Sequence, residues 1–210
     1  MPKRLFDLLF SALALVLLAP VMVVVAAWVR WDSPGTVFFR QTRVGRSGKL
    51  FRIYKFRTMH ALAEATGPAI TVGTDPRITR AGSWLRRTKV DELPQFINVL
   101  RGDMSVVGPR PEVPGYVALY PDAVRDQVLS VRPGITDLAS IEFRDESSLL
   151  GQSSDPEQVY VEQILPVKLR YATQYVQSHT LWGDLKIIAR TVSAVWISRT
   201  ARHAAANDGA

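Results

Sequence analysis

An apolar run from Leu5 to Val29, interrupted only by Asp7, Ser11 and Pro20, constrains this chain more than any other feature. About 20 apolar residues in a helix suffice to cross the hydrocarbon of a bilayer. A cleavable signal peptide has a shorter apolar region followed by small residues at a cut site, and Val29-Arg30-Trp31-Asp32 does not fit that pattern. Proline removes one helical hydrogen bond and crowds the carbonyl four residues back, so the run divides near Ala19-Pro20 into two arms. At ~1.5 Å per residue neither arm alone reaches across a ~30 Å core. Lys3-Arg4 and Arg30 put cations at both ends, which gives no single orientation and is compatible with both ends on the cytoplasmic side. Asp7 requires an interfacial position or a partner. Two arrangements remain open, a helix-break-helix hairpin over residues 1–31 that re-enters one leaflet and a kinked single span. The hairpin is the expectation.

The 210 residues leave room for one globular domain after this segment, expected over residues 32–200, with a small, polar, disordered tail at 201–210. Lys and Arg number 26 against 19 Asp and Glu, a net charge of +7 that favours an anionic partner: nucleic acid, a phosphorylated substrate or acidic lipid. The chain has no cysteine, which excludes disulfides and thiolate metal sites. His60, His179 and His203 lack metal-ligand spacing.

Val37–Val44 and Leu50–Arg57 are β-prone runs separated by Gly45-Arg46-Ser47-Gly48-Lys49, which predicts a hairpin. In the second run both faces mix aromatic bodies with cations. Such cations commonly lie with their stems over apolar surface, and Lys55 and Arg57 are the two expected to face a phosphate instead. Thr66 to Gly73 reads as a mobile loop, and Ile78 to Arg87 as a short helix opened by Asp75-Pro76. Leu93, Phe96, Ile97 and Leu100 have amphipathic helical spacing, with Gly102 placed to terminate the helix. Gln158 to Tyr175 is helical in pattern with Pro166 as an interruption. Leu185, Ile187, Ile188, Val192, Val195 and Trp196 form a last apolar face, suited to packing on the domain or to the membrane interface.

Between these helices Asp91-Glu92 follows Arg86, Arg87 and Lys89, and Gly108-Pro109-Arg110-Pro111 lies downstream. One reading is purely structural: Asp91 caps the helix and Glu92 favours its positive end. The other is chemical, because an ionised aspartate beside a cation-neutralised phosphate is a competent nucleophile, and a second carboxylate can hold Mg²⁺ or move a proton. Spacing alone leaves both open.

Several longer motifs occur together: Tyr54-Lys55-Phe56-Arg57-Thr58-Met59, Asp75-Pro76-Arg77-Ile78-Thr79-Arg80, Asp91-Glu92-Leu93-Pro94-Gln95, Val99-Leu100-Arg101-Gly102-Asp103-Met104-Ser105, Val107-Gly108-Pro109-Arg110-Pro111 and Arg132-Pro133-Gly134-Ile135-Thr136. With the N-terminal apolar segment they resemble the bacterial sugar transferases, and more narrowly the small monotopic phosphoglycosyl transferases, over about Lys3 to Trp196. The resemblance implies an α/β, predominantly α-helical fold: a re-entrant membrane helix hairpin, a compact cytoplasmic catalytic domain and interfacial amphipathic helices at the bacterial inner membrane. It implies a UDP-sugar donor, a polyprenyl phosphate acceptor, membrane lipids as partners, Mg²⁺ as cofactor, no nucleic acid, and an oligomeric state that admits a homodimer. By the same resemblance Asp91 is the nucleophile, attacking the β-phosphate to release UMP, and Glu92 is the second acid of the dyad. Arg86, Arg110 and Arg144 match phosphate-binding cations, as do Lys55 and Arg57 in a Lys-Phe-Arg motif. Asp184, in an Asp-Leu-Lys-Ile motif, joins Asp91 and Glu92 as a metal ligand. The chain departs from the family in having Ala19-Pro20 where Ser-Pro is common, and Asp137 to Glu146 where Gly-Trp-Ala-Gln-Val-Asn-Gly-Arg is common. The alternatives are a membrane-tethered aspartyl-phosphate hydrolase with the same dyad and a non-enzymatic basic module that binds lipid or nucleic acid.

Overall fold

The structure is a computed structural model that describes residues 2–61, 71–72, 75–143 and 146–207, with side chains described through residue 194. The expected loop at Thr66–Gly73 lies almost wholly outside the described residues.

Helix α1 spans Pro2–Asp32 and carries Pro20 inside it. It is long and apolar enough to cross a membrane by length and composition. Asp7, Ser11, Val25 and Val29 are buried against the rest of the chain, and Phe10, Ala14, Leu15, Leu18, Met22 and Ala26 pack beside them. These positions recur every three to four residues and form one stripe. Leu5, Leu9, Leu13, Val16, Leu17, Val21, Val23 and Val24 are exposed on the remaining faces.

The two arms expected on either side of Pro20 are therefore a single helix here. Proline withdraws one N–H from the ladder, and a helix already nucleated over many turns propagates past one missing bond. Both Pro20 and Val16, whose carbonyl loses that partner, are exposed.

The predicted hairpin is present as β1 (Phe38–Val44) and β2 (Leu50–Phe56), antiparallel, with Phe38 opposite Phe56 and Val44 opposite Leu50. Thr79 caps α2 (Arg80–Thr88) by accepting a hydrogen bond from the Gly82 N–H. Helix α3 (Gln95–Arg101) ends on Gly102 at φ 93°, the left-handed residue expected from the sequence. Two short strands, β3 (Ser105–Val107) and β4 (Gly134–Thr136), pair in parallel. Between them lie α4 (Pro114–Val117) and α5 (Asp122–Val128), and after them α6 (Leu138–Glu142), α7 (Glu146–Leu150) and α8 (Pro156–Val159).

A π-helical stretch, Tyr160–Ile164, joins α8 to α9 (Leu165–Ser178). Pro166 lies in the first turn of α9, directly after this stretch, so the N–H it lacks is missing where the ladder has already left the α pattern. The last helix, α10 (Leu181–Asn207), runs through His203 into the segment expected to be disordered. Ala201 and Ala204 to Ala206 are strong helix formers, which explains the extension.

Among the described residues, three apolar clusters hold these elements together. Val44, Tyr116, Tyr160, Ile164 and Leu165 centre one, and Ile53, Phe96, Val99, Met104 and Val107 the second. Val25 and Val29 of α1 pack with Phe56 and Leu85 in the third. Polar ties reinforce the packing of α1. Lys3 Nζ lies 2.6 Å from Asp184 Oδ2 and donates to the Val107 carbonyl at 3.0 Å, while Asp7 accepts from Ser105 Oγ and the Val106 N–H. The buried Asp7 thus has the partners its place in an apolar helix demands.

Candidate active site

A cleft of about 1630 Å³ opens between the hairpin, α2, α3, the β3–β4 pair and α10. Asp91, Glu92, Lys55, Arg86 and Arg110 all line it. Local backbone geometry puts the dyad there. Helix α2 closes at Lys89, whose φ of 57° is left-handed, and a single 3-10 turn, Val90–Glu92, follows before α3. A left-handed non-glycine residue costs about 1–2 kcal/mol, and here it sets the direction in which both carboxylates leave the chain.

Asp91 is buried and Oδ1 has no hydrogen-bond partner among the described residues. The capping role is overturned, since α3 starts after Pro94 with no side-chain cap and Asp91 lies in the preceding turn. Glu92 is buried and engaged: Oε1 accepts from Lys55 Nζ at 2.8 Å and from Arg110 Nη2 at 2.7 Å. The two carboxyls are driven in opposite directions. Burial pushes Asp91 above the usual carboxylate range, with Glu92 adding repulsion and Lys55, Lys89 and Arg86 opposing. Burial would raise Glu92 too, but Arg110 and Lys55 hold it well below the ordinary value. Lys55 is lowered by burial against the pull of Glu92, and Arg110 is raised, chiefly by Glu92.

Arg110 reaches Glu92 because its loop is tightly fixed. Its backbone N–H donates to Asp137 Oδ2, the Pro109 carbonyl accepts from Gly134 N–H, and the Pro111 carbonyl accepts from Arg43 Nη1. A Cβ on Gly134 would stand 2.1 Å from the Gly108 nitrogen, so the two glycine motifs cross in backbone contact. Arg86 is aimed by donating from Nε to Thr58 Oγ1 and from Nη1 to Thr71 Oγ1, both at 2.9 Å. Asp91 is the strongest charge favouring its cationic form, against burial.

The other expected site residues fall elsewhere. Arg57 lines the cleft but uses its guanidinium at the end of α1, donating to the carbonyls of Val29, Ser33 and Pro34. It acts there as a cationic closure of a helix C-terminus. Asp184 does not join the dyad; Lys3 and the Tyr175 hydroxyl occupy its carboxylate. No group of three or more histidine, aspartate or glutamate side chains able to hold a metal occurs among the described residues. Arg144 lies outside the described residues.

Further cleft residues escaped the sequence reading. Glu112 accepts from the Tyr160 hydroxyl at 2.8 Å, and Lys168 pairs with Glu146 at 2.6 Å. Glu112 carried a signal, because in an extended segment it shares a face with Arg110 two residues earlier. Tyr160 and Lys168 carried none, being brought in by packing of the π-helical stretch and α9.

The bacterial sugar transferase family model matches residues 1–198. An exopolysaccharide production protein, PSS, of Rhizobium leguminosarum bv. phaseoli is 43% identical over 198 residues, covering 90% of this chain and 92% of that protein. The UDP-glucose:undecaprenyl-phosphate glucose-1-phosphate transferase of Escherichia coli (strain K12) is 36% identical over 202 residues, covering 95% of this chain but 41% of the relative. The UDP-N-acetylgalactosamine-undecaprenyl-phosphate N-acetylgalactosaminephosphotransferase of Aeromonas hydrophila is 35% identical over 195 residues, 92% of this chain and 43% of that protein. The chain thus spans about two fifths of the length of these last two relatives. A family match over nearly its whole length, with a relative of the same size, means that the chain belongs to the bacterial sugar transferase family.

Proposed function

We propose that the chain transfers a sugar 1-phosphate from a UDP-sugar to polyprenyl phosphate through a covalent intermediate on Asp91, as an early membrane step in exopolysaccharide or glycoconjugate synthesis. The observation that carries this reading is Asp91 itself: a buried carboxylate with one oxygen unpartnered among the described residues, in a cleft whose cations are already arranged around its neighbour. In the first half-reaction an Asp91 oxygen bonds to the β-phosphorus. The bond from that phosphorus to the oxygen shared with the α-phosphate breaks, and UMP departs with that oxygen and the electron pair. In the second, an oxygen of polyprenyl phosphate attacks the same phosphorus and the Asp91 carboxylate is released. Lys55 and Arg110, held by the ionised Glu92, face the diphosphate together with Arg86, and such pre-set charges carry most of the work in phosphoryl transfer.

Mg²⁺ fits this donor set, since it is held by one or two carboxylates plus substrate phosphates. The free Asp91 oxygen and Glu92 would hold it, without Asp184. When bound it would offset charge on the diphosphate.

In this reading residues 1–31 are the membrane element and 32–200 the catalytic domain on the cytoplasmic face of the inner membrane. Helix α1 enters one leaflet and does not cross it. Ties from both of its ends to one domain support this, through Lys3 to Asp184 and through Arg57 to Val29.

Intact-protein mass spectrometry tests the covalent step. Wild type incubated with UDP-glucose or UDP-N-acetylgalactosamine and Mg²⁺ is expected to gain one phosphosugar, discharged on addition of polyprenyl phosphate. Asp91→Asn is expected to gain none, and UMP release by that variant would remove the nucleophile assignment. Discharge to water at the same rate without polyprenyl phosphate would make the protein a hydrolase.

A further inference from the structure

Beyond the dyad, the same cleft holds a second set of charged groups that the transfer chemistry does not use. Lys168 Nζ pairs with Glu146 Oε2 at 2.6 Å, stands 4.7 Å from the centre of the Tyr160 ring, and lies 4.0 Å from Glu112 Oε1. Glu112 accepts from the Tyr160 hydroxyl and stands 3.6 Å from Arg43 Nη1. Arg43 joins this set to the first, because Nη1 also donates to the carbonyl of Pro111, next to Arg110, at 3.1 Å.

Burying such a network beside an apolar cluster costs several kcal/mol per ion before pairing repays it. A role in packing alone would be met as well by apolar side chains. The backbone is also unusual here, since Tyr160 opens the π-helical stretch, and single π turns inside helices recur at functional sites.

The chemistry of the set selects its ligand. Two carboxylates stand against two cations, so the group has no net charge to attract a phosphate. It presents acceptors at Glu112 and Glu146, a donor at Lys168 and hydroxyls at Ser147 and Ser148, which also line the cleft. That mixture suits a polyol. A uracil ring would need an open aromatic face, and the Tyr160 ring is covered by Lys168 and by Tyr116, whose centre lies 4.7 Å away.

We propose that Glu146 and Lys168, held in place by Glu112 and Tyr160, bind the hydroxyls of the donor sugar and set which sugar the protein accepts. This rests on the transferase reading above. The test compares kcat/KM for UMP release from UDP-glucose and UDP-N-acetylgalactosamine in the full chain, with UDP as a competitive inhibitor reporting nucleotide binding. Glu146→Gln and Lys168→Met are expected to change the ratio of the two donors about tenfold, equivalent to about 1.4 kcal/mol, while the inhibition constant for UDP moves less than twofold. Lys168→Arg is expected to restore part of the wild-type ratio. A donor ratio unchanged within twofold in Glu146→Gln overturns the proposal, as does parallel weakening of both donors and UDP. Glu146 is the more exposed partner, so that variant decides the matter even if Lys168→Met fails to fold. Wild type that releases UMP from no member of a panel of UDP-sugars would sink the transferase reading instead.

Discussion

At the scale of single residues, the dyad is an arrangement that stability alone would not select. Asp91 is ionised only against the resistance of burial, so its carboxyl sits above the usual range in the folded chain. A folded-state value above the unfolded one means that the native protein binds the proton more tightly, and stability falls as pH rises from the unfolded value, ~3.9, through the folded one. Asp91→Asn is therefore expected to melt higher than wild type at pH 7 to 8, by about 2–4 °C for each kcal/mol recovered in a domain of this size. The difference should vanish below pH ~3.9, where wild type is protonated in both states. Calorimetry across that range checks it, and a variant less stable than wild type at neutral pH would contradict it. The motifs made Asp91 and Glu92 visible in the sequence, but not which was engaged. That depended on Lys55 and Arg110, 37 and 18 residues away from Glu92, closing on its carboxylate. The left-handed Lys89 was equally hidden, because lysine has no preference for that conformation.

At the scale of elements, the loop that delivers Arg110 depends on the crossing of β3 and β4. The atoms that a Gly134 Cβ would meet are Gly108 N at 2.1 Å, Gly108 O at 2.4 Å and Thr136 O at 2.7 Å, all backbone. Backbone cannot rotate away as a side chain can, so the strands must separate, and Pro109 to Pro111 move with them. Gly134→Ala is expected to lose roughly 1–3 kcal/mol of stability, in the range of overpacked cores, together with most activity. Gly115→Ala, where a Cβ meets nothing within 4 Å, serves as the control and should stay within about 0.5 kcal/mol of wild type. A Gly134→Ala protein as stable as that control would refute the account. Elements specified by local rules were legible in advance: the β1–β2 hairpin from its alternating runs and glycine turn, and α3 from its spacing and Gly102. The β3–β4 pair was not, because strands of three residues carry too little pattern and their pairing spans almost thirty residues. The pairing of Asp184 was hidden for the same reason, since its motif marks the residue while its partner, Lys3, lies at the other end of the chain.

At the scale of the whole molecule, the question is how one apolar helix of 31 residues meets a membrane while remaining part of the domain. A helix that crosses a bilayer leaves its ends on opposite sides. Here the first turn is bound through Lys3 to Asp184 and Val107, and the last through Val29 to Arg57, with Trp28 against Trp84 at 5.5 Å. Crossing would break one of these sets and expose the buried Asp7 or Arg57 to lipid, which is costly for a charged group. On the proposed reading, entry into one leaflet would keep both sets and give lipid to the exposed leucines and valines between Leu5 and Val24. Trp31 and Trp182, both exposed, have the ring type that favours the membrane–water boundary. Because the chain has no cysteine, single cysteines at Pro2 and Trp31 can be introduced without background. A membrane-impermeant maleimide is expected to label both from the cytoplasmic side in inverted vesicles and neither in right-side-out vesicles. Labelling of the two positions from opposite sides would establish a span. Asp184→Asn then separates the ties from the apolar content: if the ion pair with Lys3 keeps the first turn on the domain, Pro2→Cys in that background should become accessible from the other side in part of the population, while Trp31→Cys stays as before.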